Sequence, residues 1–195
     1  MELILVRHGL PERIENDDGT PADPPLSAQG HEQAERVAGW LVRERIDRVY
    51  ASPLRRARET AQPLVTALSA ELRIEPGVSE FDQDAQHYIP MEELKRTDYP
   101  RWRQLMESGF AGAFDPEVFR ATVVRALEGI IEHNRGARVA VICHGGVINV
   151  WAAHLLGLER AMFFAPHYTS VNRFMAAGSG QRSIVSLNET GHLRP

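Results

Sequence analysis

Three short runs of apolar and β-branched residues without alternation constrain this chain more than any other feature: Leu3-Ile4-Leu5-Val6, Val49-Tyr50-Ala51 and Val139-Ala140-Val141-Ile142-Cys143. A strand with one face in water alternates apolar with polar side chains, so a strand without alternation is covered on both faces. Between the runs lie stripes with helical spacing. After Ser27, read as an N-cap, Ala34, Val37, Ala38, Leu41 and Val42 fall on one helix face. Ser52-Pro53 reads as a cap followed by proline at the first helical position, before the stripe Leu54, Ala57, Ala61, Leu64, Val65 and Leu68, which Pro63 should kink or interrupt. Asp115-Pro116 repeats that signal ahead of Phe119, Val123, Ala126, Leu127, Ile130 and Ile131, with Asn134 and Gly136 as stops. A further helix is expected from Gly145-Gly146 to Leu156, ended by Gly157. Strands alternating with helices predict a largely parallel sheet with helices on both faces. Residues 171–176 and 183–188, around Gly178-Ser179-Gly180, predict a hairpin at its edge, which makes the sheet mixed.

At 195 residues the chain fits one domain spanning 1–195, in which residues 82–114 break the pattern. That segment mixes charge with Tyr88, Tyr99, Trp102, Phe110 and Phe114 and is read as a helical insertion or lid. With 43% hydrophobic and 25% charged residues, the balance is that of a soluble globular protein. A net charge of −4 offers no general attraction to nucleic acid or an anionic membrane, so any anion site must be a local cluster of cations. The single Cys143 allows no internal disulfide, the opening apolar run is too short for a signal segment, and no stretch is long enough to span a bilayer. A cytoplasmic protein is expected.

In open α/β sheets ligands bind beyond the carboxyl ends of the strands. Here those ends deliver Arg7-His8-Gly9, then Ser52 with Arg55, Arg56 and Arg58, then His144-Gly145-Gly146. Arginines in the first turns of a helix oppose its dipole, a penalty that a bound anion removes. Arginine's planar fork matches phosphate oxygens, and Gly9, Gly145 and Gly146 would let the main chain approach such an anion closely. Arg56, one turn beyond Ser52, is the arginine assigned to the site; Arg55 and Arg58 divide evenly between that role and a solvated face. The two strand-end histidines could equally be zinc ligands, but no His-x-x-x-His or Cys-x-x-Cys spacing occurs and Arg7 would repel a cation. A cysteine phosphatase loop needs an arginine six residues after its cysteine, and Asn149 stands there, so Cys143 is read as a small buried residue.

Arg7-His8-Gly9, Leu26-Ser27-Ala28-Gln29-Gly30, the run from Ser52-Pro53-Leu54-Arg55-Arg56 to Thr60-Ala61, and Cys143-His144-Gly145-Gly146 occur in an order that resembles the histidine phosphatase, or phosphoglycerate mutase-like, superfamily across nearly the whole chain. The resemblance implies a three-layer α/β/α sandwich and a nucleophilic His8 that attacks phosphorus as a neutral imidazole. It implies that Arg7, Arg56 and His144, with Gly145, hold the phosphoryl oxygens, and that neither metal nor cofactor is needed. It also calls for a carboxylate after the strand that precedes the insertion. Glu80 fits, as proton donor and then acceptor, with Asp82 and Asp84 as neighbours that could take its place. Among the other histidines only His167, in Pro166-His167-Tyr168-Thr169-Ser170, is positioned to reach the pocket rim. The adjacent Phe163-Phe164 pair is read as core.

Mutases of this superfamily follow Arg-His-Gly with a Glu-Ser type sequence and soon an asparagine. Here Leu10-Pro11-Glu12-Arg13 leads into the polar, proline-rich residues 16–25. Together with the short insertion, this favours hydrolysis of a phosphate monoester over phosphoglycerate mutase chemistry. A non-catalytic phospholigand-binding module is the alternative of a different class. The expected partner is a small phosphorylated substrate or a phosphoprotein, with no nucleic acid and no membrane. Lys95, Arg96, Arg101 and Arg103 among the aromatic residues of the insertion leave the alcohol open, and no oligomeric state is assigned.

Overall fold

Each apolar run forms a strand whose successive side chains enter opposite layers of core. The computed structural model describes residues 1–108, 110 and 114–194. In chain order the elements are β1 (Glu2–Arg7), β2 (Ile14–Glu15), α1 (Ala28–Leu41), β3 (Arg48–Ala51), α2 (Arg55–Leu68), β4 (Leu72–Ile74), β5 (His87–Tyr88), α3 (Met91–Thr97), α4 (Tyr99–Ser108), α5 (Pro116–His133), β6 (Arg138–Cys143), α6 (Gly145–Leu156), β7 (Val171–Ala176) and β8 (Arg182–Glu189). The main sheet has the order β4-β3-β6-β1-β7-β8. Its first four strands are parallel; β7 and β8 add the expected antiparallel edge hairpin.

Leu3 and Leu5 of β1, with Val139, Val141 and Cys143 of β6, pack into a cluster with Leu127 of α5 and Trp151 of α6. Ile4, Val6, Ala140 and Ile142 point the other way, into a cluster with Val37 of α1 and Leu64 of α2. The sheet therefore lies between α1 and α2 on one face and α5 and α6 on the other, which is why its central strands carry no polar alternation. The mixed three-layer α/β/α architecture expected from the sequence is the one observed. No helix of the described residues is long and apolar enough to cross a membrane.

The helix starts are local chemistry. Ser27 Oγ accepts from Gly30 N at 3.1 Å and donates to Leu10 O at 2.9 Å, while Asp115 Oδ1 accepts from Glu117 N and Val118 N at 3.0 and 3.1 Å. Two expectations for α2 need correction. Ser52 is not its cap: Leu54 occupies that position, and Asp23 Oδ1, from the loop before α1, accepts from Arg55 N at 2.8 Å. Pro63 does not interrupt the helix, which continues to Leu68. A mid-helix proline costs roughly 3 kcal/mol. It is tolerated because the stripe of Ala57, Ala61, Leu64 and Val65 is buried, and Pro63 itself lies off that stripe. The segment 82–114 is also more than a helical insertion. Its β5 pairs antiparallel with β2, ahead of α3 and α4, and residues 111–113 and 109 of the expected lid lie outside the described residues.

Candidate active site

The register of the parallel strands sets the site. Arg7 pairs with Cys143 and Ala51 with Ile142, so the residues that follow, His8, His144 and Ser52, leave the sheet at one level. The chain after β1 and β3 runs to helices on one face, whereas the chain after β6 enters α6 on the other. The divergence opens a crevice at the carboxyl ends of these strands. Antiparallel β7 returns the loop before it to the same end, and Ser170 O accepts from Arg7 N at 3.2 Å.

His8 is buried, with its ring 5.1 Å from that of His144. Its Nδ1 lies 2.7 Å from Gly9 O. A carbonyl only accepts, so Nδ1 carries the proton and Nε2 the lone pair. Burial, then the charges of Arg56 and Arg7, hold the His8 pKa well below the usual imidazole range, and the ring is neutral at pH 7. Its free lone pair is therefore available as a nucleophile.

Around that ring stand buried donors whose acceptors are not supplied by the described residues: Arg7 Nε, Arg56 Nε and His144 Nδ1. Arg7 ends β1, lies 3.8 Å above the Tyr168 ring centroid, and donates from Nη1 to Pro166 O at 2.6 Å. Arg56, second residue of α2, is only 1% exposed. It sits 4.7 Å over Tyr88 and donates to Asp82 Oδ1 at 3.1 Å. These contacts fix two long side chains that would otherwise be costly to order. His144 Nε2 lies 2.8 Å from Ser52 Oγ. Ser52 Oγ accepts from Leu54 N at 3.3 Å and keeps a proton to donate, which the lone pair of His144 Nε2 accepts in the Nδ1–H tautomer. His144 then carries its proton on Nδ1, as a donor. Three fixed donors beside a neutral imidazole suit a tetrahedral oxyanion.

Glu80 lies on the same cleft, with Oε2 accepting from Gly146 N at 2.9 Å and Oε1 from Phe81 N at 3.2 Å. Burial, and then the charge of Asp82, push its pKa up to about 7 against the opposing hydrogen bond from Gly146. It can thus hold or release a proton near neutrality. Asp82 is tied to Arg56, and Asp84 is exposed and outside the cleft, so the geometry separates the three carboxylates.

The glycines act differently from expectation. A Cβ on Gly9 would fall 2.6 Å from Gly30 O, and the N–H of Gly9 donates to Thr60 Oγ1 at 2.9 Å. Gly9 therefore serves close packing on α1. Gly146 makes room for the Glu80 carboxylate, which its Cβ would strike. Only Gly145, at the open N-terminus of α6 beside Arg7, retains the anion-facing position proposed for all three. Arg55 pairs with Glu59 at 2.6 Å and Arg58 is exposed, which gives both the solvated reading. Cys143 is fully buried, and burial pushes its thiol pKa up.

The cleft, about 480 Å³, is lined by Arg7, His8, Arg56, Glu80 and Gly145, and by His167 at the rim, hydrogen-bonded to Asn188. Phe164 packs against the core as expected and also lines the cleft, whereas Phe163 is 37% exposed. Among the described residues no three His, Cys, Asp or Glu side chains are grouped to hold a metal ion. Sequence reasoning missed Tyr88 and Tyr168 beneath the arginines, Ser52 as partner of His144, and Glu92, whose Oε1 reaches to 3.8 Å from Arg7 Nη1. Their signal was weak, because two-residue strands and loop aromatics carry no periodicity.

The family model described as histidine phosphatase superfamily (branch 1) matches residues 3–190. Phosphoserine phosphatase 1 of Hydrogenobacter thermophilus is 28% identical over 99% of this chain and 94% of that protein. The protein named "Probable phosphoglycerate mutase GpmB" of Yersinia enterocolitica is 27% identical over 81% of this chain and 76% of its own length. Among solved structures, a histidine-to-alanine variant of phosphoserine phosphatase from Entamoeba histolytica, in complex with phosphoserine, aligns with a TM-score of 0.76 at 25% identity over 99% of both chains.

Proposed function

The chain belongs to the histidine phosphatase superfamily, and from that premise we propose that it hydrolyses small phosphate monoesters with His8 as nucleophile, Glu80 as proton donor and acceptor, and Arg7, Arg56, His144 and Gly145 as the phosphate cradle. The observation that carries the assignment is the set of three buried, unmatched donors around a neutral imidazole. Relatives named phosphoserine phosphatase that span nearly the whole chain support hydrolysis as the outcome. A cytoplasmic setting belongs to the same reading.

In the first step the His8 Nε2 lone pair attacks phosphorus and the bond from phosphorus to the alcohol oxygen breaks. The Glu80 proton passes to that oxygen, and Arg7, Arg56 and His144 meet the charge on the equatorial oxygens. In the second step a water oxygen attacks the phosphohistidine, its proton goes to the Glu80 carboxylate, and the P–N bond breaks. Inorganic phosphate leaves and both residues are restored. The burial that lifts Glu80 to about pH 7 supports both roles, since the group must give a proton and take one in each cycle.

The direct test is hydrolysis of para-nitrophenyl phosphate in excess EDTA. Turnover at an unchanged rate is the expected result; turnover lost to the chelator would sink the metal-free mechanism. The Yersinia relative's name favours a second reading, in which a substrate hydroxyl takes the place of water. Product analysis with 3-phosphoglycerate divides the two: hydrolysis releases inorganic phosphate, whereas a mutase returns the isomeric ester.

Gly146→Ala probes the placement of the acid without touching the nucleophile. The new Cβ would meet Phe81 Cδ1 at 3.1 Å and strike Glu80 Oε1, so the carboxyl must shift. A displacement of about 1 Å costs on the order of 10²-fold in rate. That loss is expected in kcat/KM for alkyl phosphates, and a wild-type value would contradict the assigned position.

A further inference from the structure

Resting on this reading of the cleft, we infer that the substrate's alcohol is apolar and carries no cationic group, seated against the inner face of α4. The direction of departure comes first. The leaving oxygen takes its proton from Glu80, and the next residue, Phe81, lines the cleft with its ring 5.2 Å from Phe110. The alcohol therefore emerges beside two aromatic rings.

Beyond them the wall is Trp102, Leu105 and Met106, with Phe164 also on the cleft. These three residues form the apolar face of α4, a helix that has no fully buried residue among those described. An amphipathic helix ordinarily presses such a face onto protein. Here the face borders a cavity of drug-like size, and a ligand would complete its burial. Trp102 is held in advance of binding, with Tyr99 stacked at 5.4 Å and Lys95 Nζ 4.7 Å from its ring centroid.

The polar groups argue the same way. An amino-acid alcohol would bring an ammonium group that needs a carboxylate once desolvated. Of the three carboxylates on the cleft, Glu80 is committed to proton transfer, Asp82 is bonded to Arg56 at 3.1 Å, and Glu92 lies 3.8 Å from Arg7. Two cations line the wall: Lys95 lies over Trp102, and Arg101, on α4 itself, is exposed to solvent. The site thus offers an apolar wall at Trp102, Leu105 and Met106 and no uncommitted carboxylate for an ammonium group.

n-Propyl and n-hexyl phosphate test this without confounding leaving-group chemistry, since both release a primary alcohol. Full burial is worth about fourfold per methylene, so kcat/KM for the hexyl ester should exceed that for the propyl ester by at least about tenfold. It should also exceed that for O-phosphoserine. Trp102→Ala should cut the hexyl-to-propyl ratio by about fivefold, and Trp102→Phe should restore most of it; Leu105→Asn gives the same readout on the same face should the alanine variant not fold. A wild-type ratio near one, a preference for phosphoserine, or a ratio unmoved in the folded variants overturns the inference while the phosphatase reading stands. No phosphate release from these esters or from para-nitrophenyl phosphate overturns both.

Discussion

His8→Ala is expected to lower the turnover of para-nitrophenyl phosphate by at least about 10⁴-fold, the scale on which removal of a covalent nucleophile registers. The remaining cradle cannot substitute, because Arg7 and Arg56 are cations and His144 Nε2 is occupied by Ser52. The protein should still fold. Among the described residues the His8 ring makes one hydrogen bond, to Gly9 O, and it stands neutral between two guanidinium groups, so its loss leaves a small cavity and no orphaned charge. Far-UV circular dichroism and a melting curve would show that the fold is retained. The second readout is chemical: wild-type enzyme quenched in alkali after brief exposure to radiolabelled substrate should carry acid-labile, base-stable phosphate, and the variant none. A label that persists in His8→Ala would move the nucleophile to another residue.

Much of this arrangement is legible in the sequence. Unalternated strands that end in Arg7-His8-Gly9 and His144-Gly145 point to the carboxyl edge of a parallel sheet, because strand burial and crevice position are both consequences of topology. Capping chemistry placed Ser27 and Asp115 for the same reason: a hydroxyl or carboxylate meeting free N–H groups is a local event. Reading failed where contacts join residues distant in sequence. Ser52 looked like a cap because serine before proline commonly is one, yet its hydroxyl bonds a histidine 92 positions away. Gly9 and Gly146 read as anion-facing in the sequence, whereas their missing side chains accommodate Gly30 and Glu80. Tyr88 was visible as an aromatic residue in an irregular segment, but its place beneath Arg56 depends on a two-residue ribbon too short to leave a pattern. Arg7 and Arg56 are consequently less naked than the sequence implies, since Glu92, Asp82 and two tyrosine faces flank them. The cradle keeps its unmatched Nε donors while its net charge is moderated.

Glu80→Gln should separate substrates by leaving group. For an alkyl phosphate, whose alkoxide cannot depart without a proton, kcat/KM should fall by about 10²–10⁴-fold. For para-nitrophenyl phosphate, whose anion leaves unaided, the same quantity should fall far less. The comparison belongs in kcat/KM because that ratio reports events up to phosphorylation of His8, whereas kcat also contains water attack, in which Glu80 serves as base. The amide keeps a carbonyl to accept from Gly146 N, so the side chain can hold its place without a transferable proton. The pH profile gives an independent sign. Glu80 must be protonated to act first as an acid, and its pKa is raised to about 7, so kcat/KM for alkyl esters should decline above neutrality with an apparent pKa near that value. His8 contributes no acid limb near its ordinary range, because its pKa lies well below it. The substrate's own second ionisation, near about 6, is common to wild type and variant. Glu80→Gln should therefore erase the alkaline limb and leave the acid side unchanged. Equal losses on aryl and alkyl esters, or an alkaline limb that survives the substitution, would take the acid role from Glu80 and leave Asp82, already bonded to Arg56, as the carboxylate to test next.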